Sequence, residues 1–411
     1  MQTLRTLFHG WKALFLKHPY WLPISLWLIL VIVVSVRATL SPTKGTVYPT
    51  FALAGHTFAK GEPVYGNYEA HFRYSPVWAA FFSVFNLIPD QIASIVWRLL
   101  NLVILTWGAY RFQKCFFPEW SDLACSIWWV GLFPFCIGSF NNAQANMLLL
   151  GLLMGSVATF TARQWTLCGI LLAIAISLKV YPFAMALLLL LIRPKELLPP
   201  LVVSLLLIAG IPFAFHDSAY VIDLYRDWIH SSLGDTKIEM DLKNSNRDIW
   251  LLIKAYSLPI SHRAYQVIQL AAAACLAFWT WRNRSTLLKT PPSRTKYVWL
   301  FCLTITWMLV FGPASESSTY ALFAPLAAIG VVMAIFTQQT RATTLLICLG
   351  VIVGLLSHFS SAFSFGRELH HYGIHPIGAL LMLVAVLRIR FDAPWRNTLP
   401  SLTGTSPTVP I

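Results

Sequence analysis

The sequence is short of charge. Of 411 residues, 11% are charged, and only 16 are acids. A soluble globular chain averages about 25% charged residues, so a water-facing surface along the whole length is excluded. The seven cysteines show no CxxC spacing and fall mostly inside apolar runs, as core residues would. There is no HExxH, no internal repeat and no soluble catalytic domain. Nothing in the pattern points to nucleic acid.

What the chain has in quantity is apolar sequence, at 57% of residues. Runs such as WLPISLWLILVIVVSV (21–36) and AMALLLLLI (184–192) recur throughout. A bilayer core takes about 20 apolar residues per helix. The chain therefore reads as an all-α polytopic membrane protein. Twelve spans are expected, near 21–39, 93–110, 121–140, 145–162, 164–179, 181–193, 198–215, 264–281, 296–312, 318–337, 343–360 and 374–390. Two interrupted stretches, 76–90 and 248–260, are expected to lie in the interface. The 24 prolines and 17 tryptophans suit span ends.

At the N-terminus, Leu4, Leu7, Phe8, Trp11, Leu14 and Phe15 stand at helical spacing with Arg5, Lys12 and Lys17 between them. Residues 1–19 thus read as a basic amphipathic helix on the membrane surface rather than a cleavable signal. Residues 20–392 form the membrane domain, and 393–411 a disordered cytoplasmic tail.

Charge orients the spans. With both termini in the cytoplasm, the inner loops hold 17 basic residues and four acids: Glu119, Asp122, Glu196 and Asp392. Basic residues favour the inner side, and a multi-pass protein of the cell membrane is expected. The other twelve acids fall outside. There the polar clusters converge: the first outer loop (40–90), NNAQAN (141–146), LKVYPF (178–183), the large outer loop (216–260), GPASESSTY (312–320) and FGRELHHYGIH (365–375). One-sided polarity points to chemistry at the outer interface on a substrate partly in lipid.

Each cluster has a plain structural reading beside a functional one. Lys179 either snorkels to the headgroups or grips a lipid-linked phosphate. Tyr181 belongs to the aromatic belt or stacks on a sugar. Pro182 ends one helix and starts the next. Asn142, Gln144 and Asn146 either cap helices or bond sugar hydroxyls. Glu368, His370, His371 and His375 are ligand types without a ligand spacing, so no metal is assigned. Asp217 stands beside His216 as a helix-end cap.

The motifs, in order, resemble glycosyltransferase family 87, membrane enzymes of the GT-C fold. The resemblance runs over about 40–390. It is carried by VYPTFALAGHTFAKGEPVY (47–65), FRYSPVWAAF (72–81), NNAQANMLLLGLL (141–153), LKVYPFAMALLLLLIRPK (178–195), KNSNRDIWLLI (243–253) and FGPASESSTYALFAP (311–325). It implies transfer of a sugar, often mannose, from a polyprenyl phosphate to a glycolipid or glycan acceptor outside the membrane. Inversion and no metal cofactor are also implied. Such chemistry needs a carboxylate base and donors for the leaving phosphate. The resemblance puts Lys179 in the second role, with Tyr74, Tyr181, Asn142, Gln144, Asn146, Asn244, Arg247 and Tyr320 as further binding candidates. Arg247 could instead pair with Asp248 or Glu239.

One departure stands out. The family places an aspartate early in the first outer loop, but SPTKGTVYP has none, and no acid lies between Arg37 and Lys60. Glu316, Glu69, Glu62 and Asp217 are the replacement candidates, each also readable as an interfacial acid at a helix N-terminus. A lipid-linked-sugar flippase and a catalytically silent binding subunit are therefore the alternative readings.

Overall fold

The computed structural model describes residues 18–65, 72–234, 240–289, 293–312, 315–360 and 364–395. The expected amphipathic helix, apart from its last two residues, and the tail beyond Trp395 lie outside the described residues, as does Glu69. Among the described residues there is no strand. One isolated antiparallel bridge joins Thr337 to Trp395. The all-α expectation holds for a physical reason: in hydrocarbon every backbone polar group must be paired within its own segment, which a helix achieves alone.

Among the described residues seven helices are long and apolar enough to cross a membrane: Trp21–Leu40, Asp90–Phe116, Asp122–Asn141, Pro194–Ala214, His262–Arg282, Ser317–Phe336 and Arg341–Phe359. Their outer faces carry Leu206, Leu207, Val267 and Leu270, each 65–71% exposed, which only an apolar solvent tolerates. The chain is a polytopic helical membrane protein.

The expected count of twelve spans is not supported. All twelve apolar segments contain helix, but several helices are too short. Phe183–Ile192 has 10 residues and Trp165–Leu178 has 14, or about 15 and 21 Å at 1.5 Å per residue against a core of about 30 Å. The expected spans 164–179 and 181–193 are already divided at Pro182, but neither run reaches about 20 residues. Asn146–Thr161 is also short, yet fifteen of its sixteen residues are buried, so neighbouring helices rather than lipid surround it. Within the first loop, Tyr48–Ala59 forms a helix the sequence reading did not foresee, packed on Pro76–Ser83.

Threonine hydroxyls inside the bundle are satisfied locally. The hydroxyls of Thr159, Thr280, Thr304 and Thr306 each donate to the carbonyl four residues back, at 2.6–2.9 Å. Asp90–Phe116 and Asn146–Thr161 make the most extensive helix pair, and small residues allow it. A Cβ on Gly108 would lie 2.6 Å from the Gly151 carbonyl carbon, and one on Gly151 would lie 2.7 Å from Leu105 Cα. Backbone meets backbone there, as in small-residue membrane interfaces.

The helix ends gather on two faces. On one, Arg294 pairs with Glu119 at 3.1 Å, Arg284 donates to the Ile192 carbonyl and Arg111 to Gln164. A cavity of about 200 Å³ lined by Phe116, Trp120, Val298 and Met333 lies at this end. The opposite end collects residues 41–47, 141–146, 179–182 and 315–320. It is stitched by Val47 N–H to the Asn142 carbonyl (3.0 Å) and Arg247 N–H to the Ser315 carbonyl (2.6 Å).

Gly151→Val should force this helix pair apart. A loss of about 3 kcal/mol or more is expected from overpacking against rigid backbone, read as a lower melting temperature in detergent. Gly138→Ala, which meets nothing within 4 Å, should leave it unchanged.

Candidate functional site

The segment LKVYPF is a deliberate break between two short helices. Trp165–Leu178 ends before Lys179, whose backbone is extended (φ −151°, ψ 146°), and Pro182 caps Phe183–Ile192. Proline cannot continue the first helix but is well placed at the start of the second. Lys179 is therefore held outside both helices, at the polar end of the bundle.

Its ammonium donates to Asn146 Oδ1 at 2.9 Å and lies 5.7 Å from the centre of the Tyr181 ring, within cation–π range. Asn146 is the first residue of its helix and fully buried. The loop before it carries Ala143 in the left-handed region, at φ 57°, so the chain reverses tightly between Asn141 and Asn146. Gln144 Oε1 faces the Tyr74 hydroxyl at 3.5 Å. Tyr74 is held in turn by its own carbonyl, which accepts from the Tyr65 hydroxyl at 2.7 Å. Next to it, Ser75 and Trp78 bond to Ser177, at 2.8 and 3.2 Å, just before Lys179.

Charge gathers on the same spot. Burial pulls the Lys179 ammonium down to about 8, against a carboxylate at Glu316 that raises it and a guanidinium at Arg73 that lowers it further. The Glu316 charge also acts on Tyr74 and Tyr181. So Lys179, Tyr181, Tyr74, Gln144, Asn146 and Glu316, all singled out in the sequence, meet here, and Arg73 joins them. The sequence offered a cue to Arg73, a cation directly beside Tyr74 in FRYSP.

Two buried groups here have no protein partner: the Asn146 amide nitrogen and the Tyr181 hydroxyl. Unpaired buried polar groups are uncommon and carry a desolvation penalty. Together with the ammonium they leave donors in excess of acceptors, which suits anionic oxygens.

Glu316 also has a structural role, and the candidates not yet placed stand elsewhere. The Glu316 carboxylate accepts the Thr319 N–H in a reciprocal capping box that opens the 3-10 helix Ser317–Phe323, so its structural reading holds beside any functional one. Asp217 caps Ser218–Gly234, accepting from the N–H groups of Ala219 and Tyr220 at 3.1 Å. Glu62 is exposed, and its carbonyl accepts from Tyr220. Asn142 contributes its carbonyl to Val47. Asn244 sits exposed in a turn closed by Asp241. Arg247 bonds the carbonyls of Leu242, Lys243 and His370, and the Tyr320 hydroxyl donates to the Arg247 carbonyl at 2.6 Å. Arg247 and Tyr320 thus brace the loop that carries Glu316.

The histidine group divides. Glu368 meets His371 at 3.5 Å, whereas His370 faces Ser317 and His375 packs on Tyr320. Among the described residues no cluster of three or more His, Cys, Asp or Glu could hold a metal ion. Sequence reasoning also passed over Asp248, which is buried, caps Ile249–Ala255 through the Leu251 N–H, and is pushed up to about 6 by burial.

The family model described as glycosyltransferase family 87 matches residues 72–313, more than half of the chain and most of this site. A polyprenol-phosphate-mannose-dependent alpha-(1-2)-phosphatidylinositol pentamannoside mannosyltransferase of Mycobacterium tuberculosis (strain CDC 1551 / Oshkosh) is 27% identical over 299 residues. That alignment covers 66% of this chain and spans 64% of the relative's length.

The Lys179 ammonium gives a direct check of the site. After reductive methylation with labelled formaldehyde, one methyl-lysine carbon resonance should titrate near pH 8, and it should be absent from Lys179→Arg. Glu316→Gln removes the raising charge and should move that midpoint down. A midpoint near 10 would contradict the burial described.

Proposed function

This chain belongs to glycosyltransferase family 87, and from that premise we propose that it transfers a sugar from a polyprenyl-phosphate donor to an acceptor hydroxyl at the polar end of the bundle. The observation that carries this is the donor excess at LKVYPF: one ammonium, one amide and one phenol, with Asn146 Oδ1 as the hydrogen-bond acceptor that answers the ammonium among the described residues. A phosphodiester supplies the missing acceptors. The relative's printed dependence on polyprenol-phosphate-mannose supports mannose as the sugar.

In this reading Lys179, Asn146 and Tyr181 hold the phosphate. Glu316 takes the proton. The acceptor oxygen bonds to the anomeric carbon as the bond from that carbon to the phosphate oxygen breaks. The acceptor proton passes to the carboxylate, and the polyprenyl phosphate leaves with its added charge beside Lys179. Attack opposite the leaving group inverts the anomeric centre. The acceptor is a glycolipid or glycan. The lateral route for the prenyl chain is through the apolar flank of the bundle.

We place the site on the outer face, with both termini cytoplasmic. The one-sided distribution of basic residues supports this orientation. A cysteine introduced at Ser293 should resist an impermeant thiol reagent from outside the cell. Labelling there would reverse the topology.

A second reading has its own observation. Glu316 already serves as a cap, and the first loop has no acid in the family's position. A protein that binds the donor without turning it over would look the same. The two separate on purified protein in nanodiscs. Glu316→Gln should keep donor binding and lose about 10²- to 10⁴-fold in turnover, the usual contribution of a general base. Lys179→Ala should lose donor binding. In the wild type, affinity for the donor should be full below pH 8 and fall above it, because only the protonated amine attracts phosphate. Donor binding with no turnover by the wild type under any acceptor would favour the binding subunit.

A further inference from the structure

We infer that Arg98 is a positioning residue for the donor phosphate, acting through the loop 141–146 on Lys179. The inference rests on the reading of Lys179 as the phosphate grip.

Arg98 lies within Asp90–Phe116 and is 3% exposed. A guanidinium carries five N–H donors in a fixed fork, and here all five have an acceptor. Nε donates to the Phe140 carbonyl (3.0 Å). One terminal nitrogen donates to the Asn141 carbonyl (2.9 Å) and to Thr46 Oγ1 (3.0 Å). The other donates to the Ser94 carbonyl (3.1 Å) and to the Ser94 hydroxyl. Every one of these acceptors is neutral. A buried cation with neutral partners is expensive, and its place has a reason. Phe140 and Asn141 are the last residues of Asp122–Asn141, where unpaired carbonyls carry about half a negative charge.

The grip extends along the loop. The Asn142 carbonyl accepts from Val47 N–H at 3.0 Å. The Ala143 carbonyl accepts from Trp97 Nε1 at 2.9 Å. Asn101, one turn on from Trp97, accepts the Leu148 N–H at 3.1 Å. Four consecutive carbonyls, 140 to 143, are thus fastened from outside the loop. Arg98 takes two of them and also holds Thr46, which reaches toward a third (3.4 Å). This fixes the strained reversal at Ala143 and, three residues on, Asn146. Asn146 is where the Lys179 ammonium is anchored. A shift of the loop moves the ammonium away from the phosphate.

Lysine cannot replace this fork. Its single ammonium keeps the charge but cannot span carbonyls and hydroxyls in a plane. In nanodiscs, with polyprenyl phosphate mannose as donor, Arg98→Lys should raise the donor KM about tenfold or more, the scale of a sub-ångström misplacement, while kcat changes much less. Asn146→Ala should act in the same direction. The double variant should be no worse than the weaker binder of the two, because both act through one connection. If Arg98→Lys does not fold, Trp97→Phe removes a single bond to the same loop and should show a smaller rise of the same kind. An Arg98→Lys protein with a lower melting temperature and an unchanged donor KM would overturn the inference, as would effects of Arg98→Lys and Asn146→Ala that simply multiply. Lys179→Ala separates the two levels: if it leaves the donor KM unchanged, the phosphate reading itself has failed, whatever Arg98→Lys does.

Discussion

An ammonium at the edge of an apolar bundle has to be answered by something. In this protein the need centres on Lys179, and much of the polar end is arranged around it. Its protein acceptor is a neutral amide oxygen, and its aromatic neighbour offers a ring face. Glu316 acts on it as a charge, opposed by Arg73. The balance leaves a partly desolvated cation flanked by donors that lack partners. A phosphate oxygen resolves that imbalance more fully than water at a headgroup surface, which is why the snorkelling explanation of the same lysine is the weaker one.

The fold makes such a site possible by splitting its labour. Long helices with exposed leucines meet the lipid, and the enclosed helix Asn146–Thr161 and two short, half-buried helices carry the functional breaks. Close backbone packing at Gly108 and Gly151 sets the helix that begins at Asn146. The reversal at Ala143 closes on its own backbone, through Ala143 N–H to the Phe140 carbonyl and Gln144 N–H to the Ser139 carbonyl, and is held further by donors from a neighbouring helix. Polar groups therefore reach the site from the first loop, the 141–146 loop, LKVYPF and the 3-10 turn after Ser315, and none of these depends on a separate soluble domain.

Much of this was legible in the chain. Apolar runs gave the helices, because hydrocarbon leaves the backbone few other options. Lys179, Tyr181, Asn146, Gln144, Tyr74 and Glu316 could be marked as polar residues at apolar boundaries. The span count was not legible: the break at Pro182 could be read, but not whether the short helices beside it cross the bilayer. Asp217 could be read as a helix-end cap, and it is one, but the role of Arg247 could not be read. Its carbonyl brace depends on backbone brought in from distant parts of the chain, at Ser315 and His370. Arg98 gave the one signal it could, a cation inside an apolar helix, but apart from Ser94 its acceptors lie more than forty residues away, at Thr46 on one side and Phe140 and Asn141 on the other. Family membership adds a chemistry to this geometry without naming the base, because the first loop holds Lys44 and Thr46 where the family has its acid.

The central claim is that Lys179 and the two donors beside it hold the donor's phosphate. Phosphorus NMR of polyprenyl phosphate in nanodiscs tests it most directly. The account predicts a distinct bound resonance with the wild-type protein, lost in Lys179→Ala and displaced in Asn146→Ala and Tyr181→Phe. A bound resonance unchanged by all three substitutions would contradict it.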